Sequence, residues 1–194
     1  MKIVEYPHPA LLAPTIAVRH VDKALRLQVG QMFELMYEAG GIGLAANQVA
    51  LPFRLVIMNI DSETHDKARE EIFINPVITQ QKGSIEDEEG CLSFPGLYAK
   101  VRRAKEVTVD AYNLQGEPVR LQVAGLAARA WQHEIDHLDG KVFIDRFSTL
   151  AKLAHRSDVK DFERRFRQAQ KEGRLPADAD LEKTLAHLRA IAEK

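Results

Sequence analysis

The pentapeptide His133-Glu134-Ile135-Asp136-His137 constrains this chain more than any other feature. It matches H-E-x-x-H and falls in a stretch of helical character that runs from Gly125 to about Leu138. Residues four apart lie on one face of a helix, so both imidazoles can bind the same metal ion. Glu134 is turned off that axis, where a general base can reach a water molecule. The plainer alternative is a pair of hydrogen-bonded core histidines beside an ordinary glutamate.

A hydrolytic metal site usually takes three protein ligands and leaves one position open for water. Candidates for the third ligand are Cys91, the remaining histidines and several carboxylates. Cys91 stands in Glu89-Gly90-Cys91-Leu92-Ser93, where a turn among strands could present a thiolate. It is the only cysteine, which excludes an intramolecular disulfide, and a single cysteine is more often a packing residue than a ligand. The segment alone leaves both interpretations open.

A third segment, Gly41-Ile42-Gly43-Leu44-Ala45-Ala46-Asn47-Gln48, is rich in glycine and alanine. Small residues at this density allow the backbone to approach a ligand or a packed helix closely. The segment is not a dinucleotide fingerprint, because the G-x-G-x-x-G spacing and the preceding strand are both missing. A helix stop followed by a tight loop explains it equally well.

Hydrophobic periodicity predicts a helix from Asp22 to Ala39, with Asp22 as N-cap and Gly40-Gly41 as its stop. Short β-rich runs follow at 55–58, 72–74, 77–78, 107–109, 119–123 and 142–144, with a turn at 114–118. An amphipathic helix from Ser148 to about Lys171 precedes a break and a final short helix near 181–191. These patterns predict an α+β fold with mostly antiparallel strands around a central metal-binding helix, an N-terminal helix and a C-terminal helical extension.

The bulk composition indicates an ordinary globular protein, with 194 residues of which 45% are hydrophobic and 28% charged. A net charge of −1 gives no indication of a nucleic-acid partner, and we predict none for DNA. The start of the chain lacks the pattern of a secretory or transit peptide, and no apolar run approaches the ~20 residues of a membrane span. We therefore expect a cytoplasmic protein without a membrane partner.

Taken together and in order, the three segments resemble the three motifs of the peptide deformylase family, G-φ-G-φ-A-A-x-Q, E-G-C-φ-S and H-E-φ-D-H, where φ is apolar. The similarity covers roughly residues 1 to 150. The resemblance implies that Cys91, His133 and His137 bind one divalent ion, with Fe²⁺ in the cell and Zn²⁺ or Ni²⁺ able to occupy the same site. It also implies that the substrates are N-formylmethionyl peptides of nascent chains, from which the formyl group is removed as formate.

The resemblance further assigns Glu134 as general base, and the Gln48 side-chain amide and Leu92 N–H as stabilisers of the oxyanion. Ile42, Leu126, Ala130 and the ring of His133 are expected to line a pocket for the methionine side chain. The peptide is expected to add as a strand to the Gly41–Leu44 segment, which includes Gly43. Glu89 and Arg103 are expected to hold the loop that carries Cys91, unless they form an ordinary surface pair elsewhere.

Three residues depart from what some relatives carry near the pocket: Asp87, Tyr98 and Arg129. We expect a catalytic domain over 1–147 and a helical extension over 148–194. Between residues 152 and 174 eight basic residues face four acidic ones, a local balance of +4. This helix could meet ribosomal RNA, or it could be a solvated face that docks on the body. The rival functions are another H-E-x-x-H metallopeptidase or amidase, and a non-catalytic ribosome-binding relative.

Overall fold

The computed structural model describes residues 1–61 and 66–192, with the backbone alone described at residue 192. The helices are α1 (Pro9–Leu12), α2 (Lys23–Glu38), α3 (Gly125–Leu138), α4 (Thr149–Ala154), α5 (Arg156–Lys171) and α6 (Asp178–Ala192). The strands are β1 (Gly43–Ala45), β2 (Leu55–Met58), β3 (Glu71–Lys82), β4 (Ile85–Gly90), β5 (Tyr98–Arg103), β6 (Glu106–Tyr112) and β7 (Pro118–Ala124). The predicted α+β class is confirmed, and these strands pair only antiparallel to one another.

Two sheets make up the β structure. The larger has five strands in the order β1-β2-β3-β6-β7, which leaves β1 at one edge. The smaller is the hairpin of β4 and β5, in which Glu89 is paired with Ala99 and Gly90 with Tyr98. Side chains alternate across this hairpin: Glu89, Ala99, Val101 and Arg103 face inward and are buried. The segment that carries Cys91 begins where β4 ends.

Helix α2 forms where the sequence predicts it. The Asp22 carboxylate accepts a hydrogen bond of 2.7 Å from Leu25 N, which caps the helix. Its apolar face is buried, comprising Leu25, Val29, Met32, Phe33 and Met36. The helix ends at Glu38 because Gly40, at φ +67°, takes a left-handed conformation.

Helix α3 packs against strands β1, β2, β3, β6 and β7, and every residue from Ala128 to Leu138 is buried. Gly140 stops it at φ +72°, and a Cβ there would lie 2.8 Å from Ala13 C. Any side chain at Gly140 would therefore push this turn off the segment after α1. The turn and the sheet together fix the helix that carries the H-E-x-x-H sequence.

Three expectations about secondary structure are wrong. The runs 72–74 and 77–78 belong to one strand, β3, which continues past Asn75 at φ +53° because the Asn75 amide bonds both Val18 N and Val18 O. Residues 142–144 form no strand. Val142 precedes the 3-10 helix Phe143–Arg146, in which Phe143 packs edge-on against Phe94 and Phe147.

The helix expected from Ser148 to Lys171 is in fact two helices. It breaks at His155, whose ring packs on Phe147 and whose Nδ1 lies 2.9 Å from the Asp158 carboxylate. Beyond the break, α5 lays Phe162, Phe166 and Ala169 on the body, and Phe162 joins the buried cluster around Phe94. No helix in the described part of the chain combines the length and apolar character needed to cross a membrane.

Candidate metal centre

Three potential ligand atoms converge between α3 and the end of β4. Cys91 Sγ lies 3.2 Å from His137 Nε2, and His137 Nε2 lies 3.1 Å from His133 Nε2. All three atoms fall within 4.8 Å of one another. One thiolate and two imidazoles suit a divalent transition metal, and three protein ligands leave a position for water. The donors fit a single metal ion.

Contacts around the two histidines fix their positions. His133 Nδ1 lies 2.7 Å from Glu89 Oε1, which directs its Nε2 toward the shared point. Burial, together with the charge of His133, holds the pKa of His137 well below its usual range, so this imidazole is neutral. The Asn47 amide donates to the His137 carbonyl at 2.5 Å and to the Ala10 carbonyl at 3.2 Å. Asn47 thereby ties the end of α3 to the glycine-rich segment.

The structure brings Glu89 and Arg103 together in the interior. Arg103 donates to Glu89 through Nη2 at 2.7 Å and through Nε at 3.1 Å, and the side chains are 3% and 5% exposed. Burial raises the pKa of Glu89, but hydrogen bonds from His133 and Arg103 outweigh it and hold this pKa far below its usual range. Glu89 is therefore ionised, two residues before Cys91.

The ion pairs continue across α3. Arg103 and Arg146 both bind the carboxylate of Asp136, the residue before His137. Burial raises the pKa of Asp136, but Arg146 and Arg103 lower it on balance. Arg103 thus links the segment that carries Cys91 to the helix that carries both histidines.

Glu134 lies beside this cluster, 5% exposed, against the backbone of β1. A Cβ on Gly43 would lie 2.9 Å from Glu134 Oε1, so only glycine leaves room for the carboxylate. Burial raises the pKa of Glu134 to about 7, against the opposing charge of His133 and the Ala45 N–H. Among the described residues, Oε2 has no hydrogen-bond partner. This group can accept and return a proton near neutral pH.

Gln48 has a fixed orientation. Its Oε1 accepts from Ala45 N at 2.9 Å, which turns Nε2 toward Ser93 Oγ at 3.3 Å and Cys91 Sγ at 3.7 Å. The Leu92 N–H has no acceptor within residues 1–61 and 66–192. Two donors are thus available near the Cys91 thiol.

A cavity of about 580 Å³ opens onto these groups. It is lined by Gln48, Cys91, Leu92, His133 and Glu134, and by four of the five residues expected to contact the substrate elsewhere, Ile42, Gly43, Leu126 and Ala130. The side chain of Leu44 does not line it. Leu44 is fully buried in the core beneath α2, because alternate residues of β1 point to opposite sides.

Sequence reasoning missed three buried or half-buried charged contacts: those of Arg129, Asp136 and Arg146. Arg129 lines the cavity and donates to Glu89 Oε2 at 2.9 Å, so it does more than shape a rim. Tyr98 also lines the cavity, with its ring against Gly90, whereas Asp87 does not. One signal was present: Arg129, His133 and Asp136 recur at i, i+4 and i+7 on one helical face.

Comparison with known proteins agrees with this geometry. The family described as polypeptide deformylase matches residues 1–153. A peptide deformylase of Neisseria gonorrhoeae is 46% identical over 150 residues, covering 77% of this chain and 88% of that protein. One from Rhodopirellula baltica is 36% identical over 191 residues, covering 98% and 94%. A crystal structure of the Plasmodium falciparum peptide deformylase superposes with a TM-score of 0.83 at 38% identity, covering 86% of this chain and 98% of that one. The chain belongs to the polypeptide deformylase family.

Proposed function

We propose that this protein hydrolyses the formamide bond at the N-terminal formylmethionine of new polypeptides and releases formate. The observation that carries the proposal is the convergence of Cys91, His133 and His137 beside the buried carboxylate of Glu134. Because nascent chains are made in the cytoplasm, we place the reaction there. Residues 1–147 are proposed as the catalytic domain and 148–194 as the extension.

Cys91, His133 and His137 would hold one divalent ion, and we propose Fe²⁺ in the cell, with Zn²⁺ or Ni²⁺ able to replace it. An ion bound there lowers the pKa of a water molecule and polarises a carbonyl oxygen. Cys91 lines the open cavity and is only partly buried, so its thiolate is within reach of oxidants. Activity should therefore decay in air.

Glu134 is proposed as the group that moves the proton. It takes a proton from a water molecule in the cavity as the water oxygen bonds to the formyl carbon. When the C–N bond breaks, Glu134 delivers that proton to the leaving amine. Formate and a free N-terminal methionine are the products. A pKa near 7 suits both transfers, since the group is basic enough to accept a proton and acidic enough to return it.

Gln48 and Leu92 are proposed as the oxyanion donors. Charge that builds on the former carbonyl oxygen needs donors fixed before the reaction. The Ala45 N–H holds Gln48 Oε1 at 2.9 Å, so the amide Nε2 is already turned toward Cys91. The backbone N–H of Leu92 has no competing acceptor among the described residues.

Substrate binding combines a pocket with backbone pairing. Ile42, Leu126 and Ala130 offer an apolar lining for the methionine side chain. The edge strand β1 can take the peptide as an added strand through the backbone of Gly43 and Leu44. Main-chain hydrogen bonds bind without choosing side chains, which suits an enzyme that acts on many different N-termini.

The test is formate release from formyl-Met-Ala-Ser under anaerobic conditions, with metal analysis of the same preparation. The unformylated peptide is the matched control. Formate release with an intact Met-Ala bond supports a deformylase. Cleavage of the unformylated peptide would instead identify a metallopeptidase, and neither reaction from a metal-loaded sample would favour a non-catalytic relative.

We also propose that α5 helps the enzyme meet the ribosome. Five exposed basic residues recur at i, i+4, i+8, i+11 and i+15, and so form one stripe: Arg156, Lys160, Arg164, Arg167 and Lys171. The stripe lies on the side opposite the buried Phe162 and Ala169. Arg164 and Arg167 pair with Asp161 and Asp178, whereas Arg156, Lys160 and Lys171 make no ion pair with the described residues. These exposed charges could meet RNA phosphates, with an affinity that falls as salt rises.

The test reverses Lys160, Arg164 and Lys171 to glutamate. Arg167 is left alone, because it binds Asp178 of α6 at 2.6 Å and its loss would disturb helix packing. We expect weaker co-sedimentation with ribosomes at low salt and unchanged turnover of a free formyl-peptide. The control reverses Lys23, Lys67 and Lys82, which are exposed elsewhere. Equal ribosome binding by both variants would contradict the proposal.

A further inference from the structure

Arg129 sits one helical turn before His133 and is 7% exposed. Its Nη1 donates to Glu89 Oε2 at 2.9 Å and to the Val101 carbonyl at 3.0 Å. The guanidinium therefore joins α3 to both strands of the β4–β5 hairpin. Burying a charged group costs folding free energy unless the group is hydrogen-bonded, and these two hydrogen bonds offset that cost.

The Glu89 carboxylate has no acceptor site to spare. Oε1 binds His133 Nδ1 and Arg103 Nη2, each at 2.7 Å. Oε2 binds Arg103 Nε at 3.1 Å and Arg129 Nη1 at 2.9 Å. A carboxylate offers roughly four lone-pair sites, so Arg129 fills the last of them. Without it, a buried oxygen of Glu89 loses a partner, and the carboxylate is held by Arg103 and His133 alone.

We propose that Arg129 is a positioning residue that fixes Glu89 and, through Glu89, the direction of His133 Nε2 and the hold on the metal. The proposal rests on the metal site of the proposed function. Groups that orient a ligand from behind typically change metal affinity by about 10–100-fold. Glu89 touches His133 directly, and Arg129 touches Glu89 one contact further out, so its effect should fall at the lower end of that range. Its loss should therefore loosen the metal without removing a ligand.

The experiment loads purified protein with Co²⁺, confirms one ion per chain and a thiolate–cobalt absorption band, and follows decay of the band in excess EDTA. Arg129→Met should release cobalt about 10-fold faster than the wild type. The matched control is Arg54→Met, because Arg54 likewise binds one carboxylate (Asp139, 2.8 Å) and one strand carbonyl (Pro76, 3.0 Å). That variant should release cobalt at the wild-type rate.

Arg129→Lys tests rescue. Nη2 of Arg129 has no hydrogen-bond partner in the described part of the chain, so one nitrogen makes both bonds. A lysine ammonium can supply both, and Arg129→Lys should restore slow release. If Arg129→Met fails to fold, Arg129→Gln decides instead, because its side chain is too short to make both bonds: release faster than the wild type supports the proposal, and release at the wild-type rate overturns it.

A double variant tests the route. If Arg129 acts through Glu89, Glu89→Gln with Arg129→Met should release cobalt no faster than Glu89→Gln alone. Wild-type release from Arg129→Met, with only a lower melting temperature, would reduce Arg129 to a packing residue. None of these cobalt-release measurements uses the formyl substrate, so their outcome does not depend on the proposed reaction. A wild-type protein that binds no cobalt would instead refute the metal site of the proposed function.

Discussion

Two arginine–carboxylate pairs of nearly equal length occupy opposite environments in this molecule. Arg103 and Glu89 lie 2.7 Å apart with side chains 3% and 5% exposed, whereas Arg164 and Asp161 of α5 lie 3.0 Å apart at 74% and 52%. Removing one partner of a buried pair strands a charge and costs ~3–5 kcal/mol. An exposed pair contributes ~0.2–1 kcal/mol. Burial, and not the distance between the charges, separates the two.

The difference shows how one set of residue types serves two ends. Around α3 the buried carboxylates of Glu89 and Asp136 are each held by two arginines, so the side chains have one arrangement and can orient a metal ligand. Along α5 the charges face water. These charges do not hold one another in a single arrangement, but together they create an electrostatic field that salt screens over about 8–10 Å. A site needs the first kind of charge, and a loose docking surface can use the second.

The largest effect should follow from removing Glu134, the proposed proton carrier. Glu134→Gln should lower kcat by ~10²–10⁴-fold, because an amide cannot accept the proton. Glu134 is not among the converging ligand atoms, so metal content and the melting temperature should stay near wild-type values. Formate release and metal analysis on one preparation check both. A variant that keeps more than about a tenth of the activity would exclude Glu134 as the base.

The next largest effect is on stability. Arg103→Met should lower the free energy of unfolding by ~3–5 kcal/mol, since Glu89 and Asp136 would both lose a buried counter-charge. Urea denaturation of metal-free protein in EDTA measures this loss of stability without a contribution from metal binding to the folded or the unfolded chain. If the loss is below about 1 kcal/mol, the buried network behaves like a surface pair and the comparison fails.

Sequence patterns found the parts of this site that depend on neighbours along the chain. Helices α2 and α3 follow from local periodicity, capping and glycine stops, so their residues fall as expected. The β4–β5 hairpin was missed because β4 carries the acidic run Glu86 to Glu89, which has no apolar alternation. Only when that strand is placed does Glu89 come within reach of His133 and Arg129. The partners of Arg129 therefore could not be read from its helix alone.

The unfolding free energy should depend on pH through His8, which lies where α5 packs on the rest of the molecule. His8 is 5% exposed, accepts from Ala10 N through Nδ1, and packs against Phe166 of α5. Burial, with the charge of Lys2, lowers the pKa of His8 to about 4, although Asp178 opposes the shift. The unfolded chain takes up this proton near pH 6.5 and the folded chain does not until about pH 4.

The contribution of His8 to stability is therefore complete above pH 6.5 and is lost as the pH falls from there to about 4. His8→Gln keeps a polar side chain but does not titrate, so its unfolding free energy should fall less over this window. Urea denaturation at pH 7, 5.5 and 4.5 measures the unfolding free energy of both proteins. Titration of the carboxylates contributes equally to both, so it cancels in the difference between the two free energies. If the unfolding free energies of the two proteins fell in parallel with pH, His8 would have the same pKa in the folded and unfolded chains.

The smallest effect belongs to the exposed pair, and it sharpens the comparison most. A double-mutant cycle on Arg164→Ala and Asp161→Ala should give a coupling of only ~0.2–1 kcal/mol, because water already solvates both charges. The coupling should shrink further in 1 M NaCl, where the screening length falls to about 3 Å. The loss caused by Arg103→Met should change little with salt, because counterions do not reach the interior. If the coupling between Arg164 and Asp161 did not change with salt, these two charges would have to be shielded from solvent by a partner molecule. The basic stripe on α5 would then be covered and could not serve as an open docking surface.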